Sequence, residues 1–301
     1  MQTQRSFLDE LRVLYKQSTF MKLIFLNVIV FLAIQIAGVF GRLAGMETET
    51  ADILRQIFAM PTDLQDFLYH PWTIITSMFA HFGFLHILLN MVMLYFIGRM
   101  FEQIFDGKKL LYTYLLGGFT GGALEIIAHL AFPGIYGQYS SVVGASGAVM
   151  ALFVLLGFGR PDLKVTLFIF PPIRLIWLAV IYIAIDFFRL GTNDGVAHFA
   201  HLGGAIVGFV GSRNIYNSNN LITRFQRFSE RFLGLFKRRE RNRLKVKRGP
   251  EVRNMTDEEY NADAKARQKE IDRILDKISK SGYESLSKRE KDFLFNQSKN
   301  G

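Results

Sequence analysis

The chain has no cysteine among its 301 residues, which excludes disulfides and thiolate chemistry and leaves the redox compartment unmarked. It also lacks a phosphate-binding loop, metal-ligand spacing, a nucleic-acid motif and an internal repeat, so nucleotide hydrolysis, metal chemistry and nucleic-acid recognition have no foothold. The most informative absence is that of a wet face. Hydrophobic residues make up 50% of the chain and charged residues 21%, and the two are segregated along it. From Phe20 to about Gly211 long apolar runs are broken only by short polar segments. A soluble domain mixes the two kinds of residue every few positions, because each of its elements has one side in water. Runs without a wet side imply lipid as the solvent.

Six apolar stretches are long enough to be candidate spans: Phe20–Phe40, Trp72–Gly98, Leu110–Phe132, Val143–Gly159, Ile173–Phe188 and Val196–Gly211. The first exceeds a signal-peptide core and has no small-residue cleavage site, so it is read as a retained span. An even number of spans puts both termini on one side. The loop Gly41–His70 sets Arg42 and Arg55 against Glu47, Glu49, Asp52, Asp63 and Asp66, so it is acidic and external, and long enough to cover a cavity. Arg99, Lys108, Lys109, Arg160 and Lys164 fall on the other side, which the positive-inside rule makes cytoplasmic. The expectation is an all-α, multi-pass integral membrane protein with both termini cytoplasmic.

The domain plan divides into residues 1–19 as an interfacial segment, 20–212 as the membrane domain, 213–250 as a basic amphipathic linker and 251–301 as a small helical hairpin. In the linker, Phe225, Phe228, Phe232 and Leu233 recur at helical spacing among Arg224, Arg227 and Arg231, the pattern of a helix lying on a membrane surface. Lys237–Arg248 then carries eight basic residues around Glu240, a run suited to anionic lipid headgroups rather than to nucleic acid. In the hairpin, Thr256-x-x-Glu259 reads as a capping box, with Ile271, Ile274, Leu275 and Ile278 on one face. Ser281–Gly282 is a stop, and Ser287-x-x-Glu290 starts a second helix.

Three motifs inside the apolar part carry polar chemistry: His81-Phe-Gly-Phe-Leu-His86-Ile-Leu-Leu-Asn90, Gly144-Ala-Ser146-Gly147, and Ala197-His198-Phe-Ala-His201-Leu-Gly203-Gly204. They hold four of the 6 histidines, and ionisable groups within a bilayer are expensive enough to call for a functional reading. Alone, Gly144, Ser146 and Gly147 are more often a helix-packing motif than a nucleophile site. A serine becomes a nucleophile only beside a base. His198 and His201 lie at matching depth in the sixth stretch, where glycines permit close helix approach. Three residues apart, they share a helix face; His201 is preferred because it is deeper and adjoins the glycine run. His86 and Asn90, at i and i+4, share a face too and suit stabilisation of an oxyanion with the Ser146 N–H. Glu125 and His129, also i and i+4, read as a structural pair. Asp186 and Asp194, near a span end and in a loop, read as solvated residues rather than a third catalytic member.

In order, spacing and placement on the stretches, these motifs resemble the rhomboid family of intramembrane serine proteases, as does Tyr95-Phe-Ile-Gly98-Arg99-Met-Phe-Glu102. The resemblance covers roughly Phe20–Ser212. It implies a six-transmembrane-helix rhomboid fold with Ser146 as nucleophile, His201 as general base, and His86, Asn90 and the Ser146 N–H as oxyanion hole. It further implies that Gly144 and Gly147 support the serine turn, that His81 orders the outer loop and water access, and that Glu102 supports that loop. No cofactor or metal is expected, and the partners would be single-span membrane-protein substrates. One departure stands out: where many rhomboids carry an aromatic residue a turn after the serine, this chain has Met150, with Phe153 and Phe199 as candidate substitutes. Two other readings remain: a rhomboid-like protein that binds transmembrane segments without cutting them, and a proton-coupled transporter built on Glu125 and His129.

Overall fold

The computed structural model describes residues 18–133, 141–166, 171–192, 194–236 and 256–300. The interfacial segment expected before Thr19 and the basic run Lys237–Arg248 lie almost wholly outside them. The chain divides into two compact units, Met1–Lys237 and Arg238–Gly301.

In the first unit, α1 spans Thr19–Leu43. The segment expected as a loop is largely helical, with α2 at Glu47–Phe58 and α3 at Leu64–Tyr69. Its charges explain this. Glu47 and Glu49 occupy the first turn of α2 and Arg55 the last, each sign at the favourable end of the helix dipole, and the Asp63 side chain caps α3 by accepting from the Asp66 N–H. Between them β1 (Met60–Pro61) pairs antiparallel with β2 (Ser141–Val142), tying this segment to the lead-in of the serine motif.

The second apolar stretch starts later than expected. Residues 73–76 form a single turn, α4 (Thr73–Thr76), and Ser77–Phe79 a 3-10 turn; the long helix α5 spans Phe84–Ile104 with Gly83 as its N-cap. Glycine and the polar side chains of Ser77 and His81 interrupt what hydropathy alone reads as continuous. α6 (Gly107–Ala131), α7 (Ser146–Gly159), α8 (Leu175–Phe188) and α9 (His198–Ser212) follow. The lead-in to α8 is a two-residue pairing of β3 (Lys164–Val165) with β4 (Ile173–Arg174).

α7 is the central helix. Every residue from Gly147 to Gly157 is buried, and it packs against α9, α6, α5 and α8, as expected of a helix apolar on all sides. Large apolar side chains on the outer helices point away from the protein: Ile29, Leu32 and Ile36 on α1, Leu85 and Phe96 on α5, Trp177 and Ile181 on α8. Such a surface suits hydrocarbon and not water. Among the described residues α1, α5 and α6 are long and apolar enough to cross a membrane, and α7 and α8 are shorter apolar helices.

α10 (Leu221–Phe236) closes the first unit. Ile222 and Phe225 dock it, Phe225 edge-on to Tyr112 and Phe119, whereas Phe228, Phe232 and Leu233 are exposed. In the second unit, taken by itself, the described residues form α11 (Asp257–Ser281), a 3-10 turn and α12 (Lys288–Asn300). The Thr256–Glu259 capping box is formed, and Gly282 ends α11 at φ +77°, a conformation that favours glycine. Ile274 and Leu286 are buried while Leu275, expected on the apolar face, is exposed.

Glu290 joins the two helices. It accepts from the Ser287 N–H at 2.7 Å and pairs with Lys277 on α11 at 3.0 Å. The Ser287 N–H foremost, then Lys277, hold its carboxyl at about 2 against an ordinary 4.5. A carboxyl depressed by folding stabilises above its unfolded value, and that contribution fades as pH falls through the folded one. Glu290→Gln is therefore expected to speed amide exchange in α12 of the full chain at neutral pH. The difference from wild type should vanish between about pH 4.5 and 2; a difference that persists at pH 2 would contradict the charge-based account.

Candidate active site

Ser146 is the first residue of α7, preceded by Ala145, which provides no side-chain cap. Its N–H is thus one of the free donors of a helix N-terminus, where the dipole favours negative charge. The turn that delivers it needs Gly144: φ there is +116°, and a Cβ would lie 2.7 Å from the His86 ring. The Gly144 N–H donates to the Ser77 carbonyl at 2.8 Å, and the Ala145 N–H to His81 Nε2 at 3.3 Å. His81 is fully buried, with its ring edge-on to His86 at 4.9 Å. It therefore orders the serine turn from the side of the preceding loop.

His198 and His201 occupy the first turn of α9. That helix meets α7 backbone to backbone: a Cβ on Gly204 would overlap the Gly147 carbonyl oxygen, and one on Gly147 would lie 2.9 Å from the Ala200 oxygen. The N-terminus of α9 is also held from α6. Glu125 is 2% exposed and accepts from the Ala200 N–H at 2.9 Å, satisfying a donor that the helix cannot use internally. His129 shares a hydrogen bond with Thr62, which lies between α2 and α3.

Ser146, His201, His86 and Asn90 all line one cavity of about 700 Å³, with Thr62, Glu125 and His198 also on its wall. Asn90 Nδ2 donates to the His86 carbonyl at 3.0 Å, which engages one of the two donors of the amide. A smaller pocket of about 90 Å³ adjoins Ser146, walled by Met93, Val149, Met150, Phe153 and Tyr182.

Phe199 stacks on Phe132, while against His201 lies Tyr182 on α8, whose ring is 6.1 Å from the imidazole and meets Phe153 edge-on at 6.4 Å. Asp186, one helical turn further, is not solvated. It is 3% exposed, and its Oδ1 lies within hydrogen-bond distance of two imidazoles, 3.0 Å from His201 Nδ1 and 2.6 Å from His198 Nδ1. His198 Nε2 also reaches Asp194 Oδ2 at 3.1 Å, and Arg189 pairs with the same oxygen at 2.8 Å. The His198 hydrogen bond, above other contacts, holds the Asp194 carboxyl down at about 2. The i, i+4 spacing of Tyr182 and Asp186 was the available signal, since both lie on one face of α8.

Asp186, His198 and His201 bring three ligand-type atoms within 4.8 Å of one another, a closeness their mutual hydrogen bonds explain. Glu102 is also corrected. It lies 16 residues beyond His86 on α5, about 24 Å along the axis, and accepts from the Thr19 N–H at 2.6 Å. It caps α1 rather than supporting the outer loop.

Residues 69–216 match the Rhomboid domain model, and residues 255–300 a family of unknown function (DUF6576). The chain is 36% identical over 146 residues to RHOMBOID-like protein 12, mitochondrial, of Arabidopsis thaliana, covering 45% of this chain and 44% of that protein. With RHOMBOID-like protein 1 of the same plant it shares 31% identity over 157 residues, 52% of this chain and 38% of that protein. With Rhomboid protease GlpG of Yersinia enterocolitica it shares 26% over 153 residues, 50% of each. The chain thus spans half or less of the length of these relatives. The matched residues include Ser146, His201 and every other residue of the cavity wall except Thr62, and this part of the chain, residues 69–216, is a rhomboid domain.

Proposed function

We propose that this protein is an intramembrane serine endopeptidase that cuts single-span membrane proteins in or beside the transmembrane segment. The observation that carries the reading is the shared cavity: a serine at a helix N-terminus and a histidine on the facing helix open onto the same space, and their helices touch through glycine backbones. Ser146 attacks the scissile carbonyl while His201 takes its proton and later returns it to the leaving amine. The Ser146 N–H, Asn90 and His86 stabilise the oxyanion, and the apolar pocket beside Ser146 accepts a small side chain of the substrate.

Hydrolysis needs water, and in this reading the cavity admits it. We take α1, α5, α6, α7, α8 and α9 as six spans with both termini cytoplasmic and the cavity open to the outer face. α7 rises only about 21 Å over its 14 residues, short of a hydrocarbon core of about 30 Å. Its N-terminus therefore stops below the membrane surface, tolerable where unpaired backbone faces a wet cavity. α10, with Arg224, Arg227 and Arg231 beside exposed Phe228 and Phe232, lies against anionic headgroups on the cytoplasmic side.

The test is cleavage of a single-span protein co-reconstituted in liposomes, with the cut mapped by mass spectrometry. A cut in or beside the span, together with fluorophosphonate labelling of Ser146, supports the reading. Binding of the span without cleavage or labelling makes the chain a non-catalytic binder instead. Asn90→Ala is expected to lower kcat by about 10²–10³-fold, the effect of losing one oxyanion donor, with KM little changed. An effect confined to KM would move Asn90 from the oxyanion to substrate binding.

A further inference from the structure

We propose that Asp186 is a positioning residue for His201, holding its imidazole with the proton on Nδ1 and the lone pair on Nε2 facing Ser146. The proposal rests on the reading of Ser146 and His201 as the reacting pair. Asp186 Oδ1 lies 3.0 Å from His201 Nδ1. An ionised carboxylate only accepts, so Nδ1 carries the hydrogen, and a neutral ring then has its acceptor on Nε2. That is the tautomer a general base needs; the opposite one presents an N–H to the serine and cannot take its proton.

A carboxylate 3% exposed is costly unless it is compensated. His198 provides the compensation. Its two nitrogens face Asp186 Oδ1 at 2.6 Å and Asp194 Oδ2 at 3.1 Å. Both oxygens accept, so the ring satisfies both only with a proton on each nitrogen, as a cation between two anions. Arg189, at 2.8 Å from Asp194, completes a chain of two acids and two cations running from the loop after α8 to His201. Asp186 Oδ2, by contrast, is buried with no hydrogen-bond partner among the described residues.

The experiment is ¹⁵N spectroscopy of the full-length, histidine-labelled protein in micelles, with His201 assigned by its loss in His201→Gln, beside kinetics of Asp186→Asn. The expected result is an Nδ1-protonated, Nε2-unprotonated His201 in the wild type. In Asp186→Asn the tautomer shifts and kcat falls on the order of 10²-fold or more, with KM within about twofold. His198→Gln, which keeps a donor to Asp186 but removes the charge, should fall between. The proposal is overturned by a wild-type His201 protonated on Nε2, by an Asp186→Asn kcat within about threefold of wild type, or by a zinc ion retained at Asp186, His198 and His201 through chelator treatment. If Asp186→Asn does not fold, the wild-type spectrum still decides. Absence of cleavage and of Ser146 labelling in the wild type would instead refute the protease reading, whatever the tautomer.

Discussion

Replacing Ser146 with alanine is expected to lower cleavage of a reconstituted single-span substrate by about 10⁴-fold or more, and His201→Ala to do nearly the same. The size follows from cooperation between the two residues. A serine hydroxyl without a base is a poor nucleophile, and a base without a nucleophile leaves only water activation and oxyanion stabilisation. The double variant should therefore be no slower than either single one, because the second removal takes away a partner already idle. Fluorophosphonate labelling separates the roles: Ser146→Ala abolishes it, whereas His201→Ala only slows it, since the oxyanion donors at the start of α7 remain. Retention of more than about 1% of wild-type cleavage by purified Ser146→Ala would assign the attack to another group.

How far the sequence foretold this arrangement depends on the range of the interaction concerned. The Thr256–Glu259 box, the Gly282 stop and the Ser287 helix start are settled within four residues, and the spacing of those residues predicted them. The apolar helices were legible because hydropathy is a property of the whole run, although the stretch from Trp72 to Gly83 reads as apolar while Gly83 and the polar Ser77 and His81 divide it into short turns. Ser146, His201, His86 and Asn90 were singled out because polar groups are rare in such surroundings, and the structure lines one cavity with all four. Asp186 was misread because its burial depends on which face of α8 turns toward α9. The i, i+4 spacing to Tyr182 puts both residues on one face of α8 but does not state that this face meets His201, 15 positions away. Glu102 failed for the complementary reason: its partner is the start of α1, 83 residues earlier. Met150 showed that aromatic support was missing from its usual place, but only packing reveals Tyr182 as the source.

Gly204→Ala is expected to cost about 10²-fold in cleavage while most of the protein still folds, and Gly204→Val to prevent its accumulation. The added methyl meets the Gly147 carbonyl oxygen, carbon and Cα. These are backbone atoms of the most buried helix, so no side chain can rotate aside. α7 and α9 must separate instead. Overpacking of this kind costs about 1–3 kcal/mol, less than the roughly 5–15 kcal/mol that holds a typical domain together, so the alanine variant remains folded. Geometry is less forgiving. Ser146 adjoins Gly147, and His201 lies one turn before Gly204, so the parting occurs beside both residues. A displacement of about 1 Å between reacting groups is worth on the order of 10²-fold in rate. Thermal unfolding in detergent and cleavage at matched folded protein distinguish the two effects. A small loss of melting temperature with a large loss of kcat is the expected pair. Wild-type values of both would mean that α7 and α9 do not need glycine contact to bring Ser146 to His201.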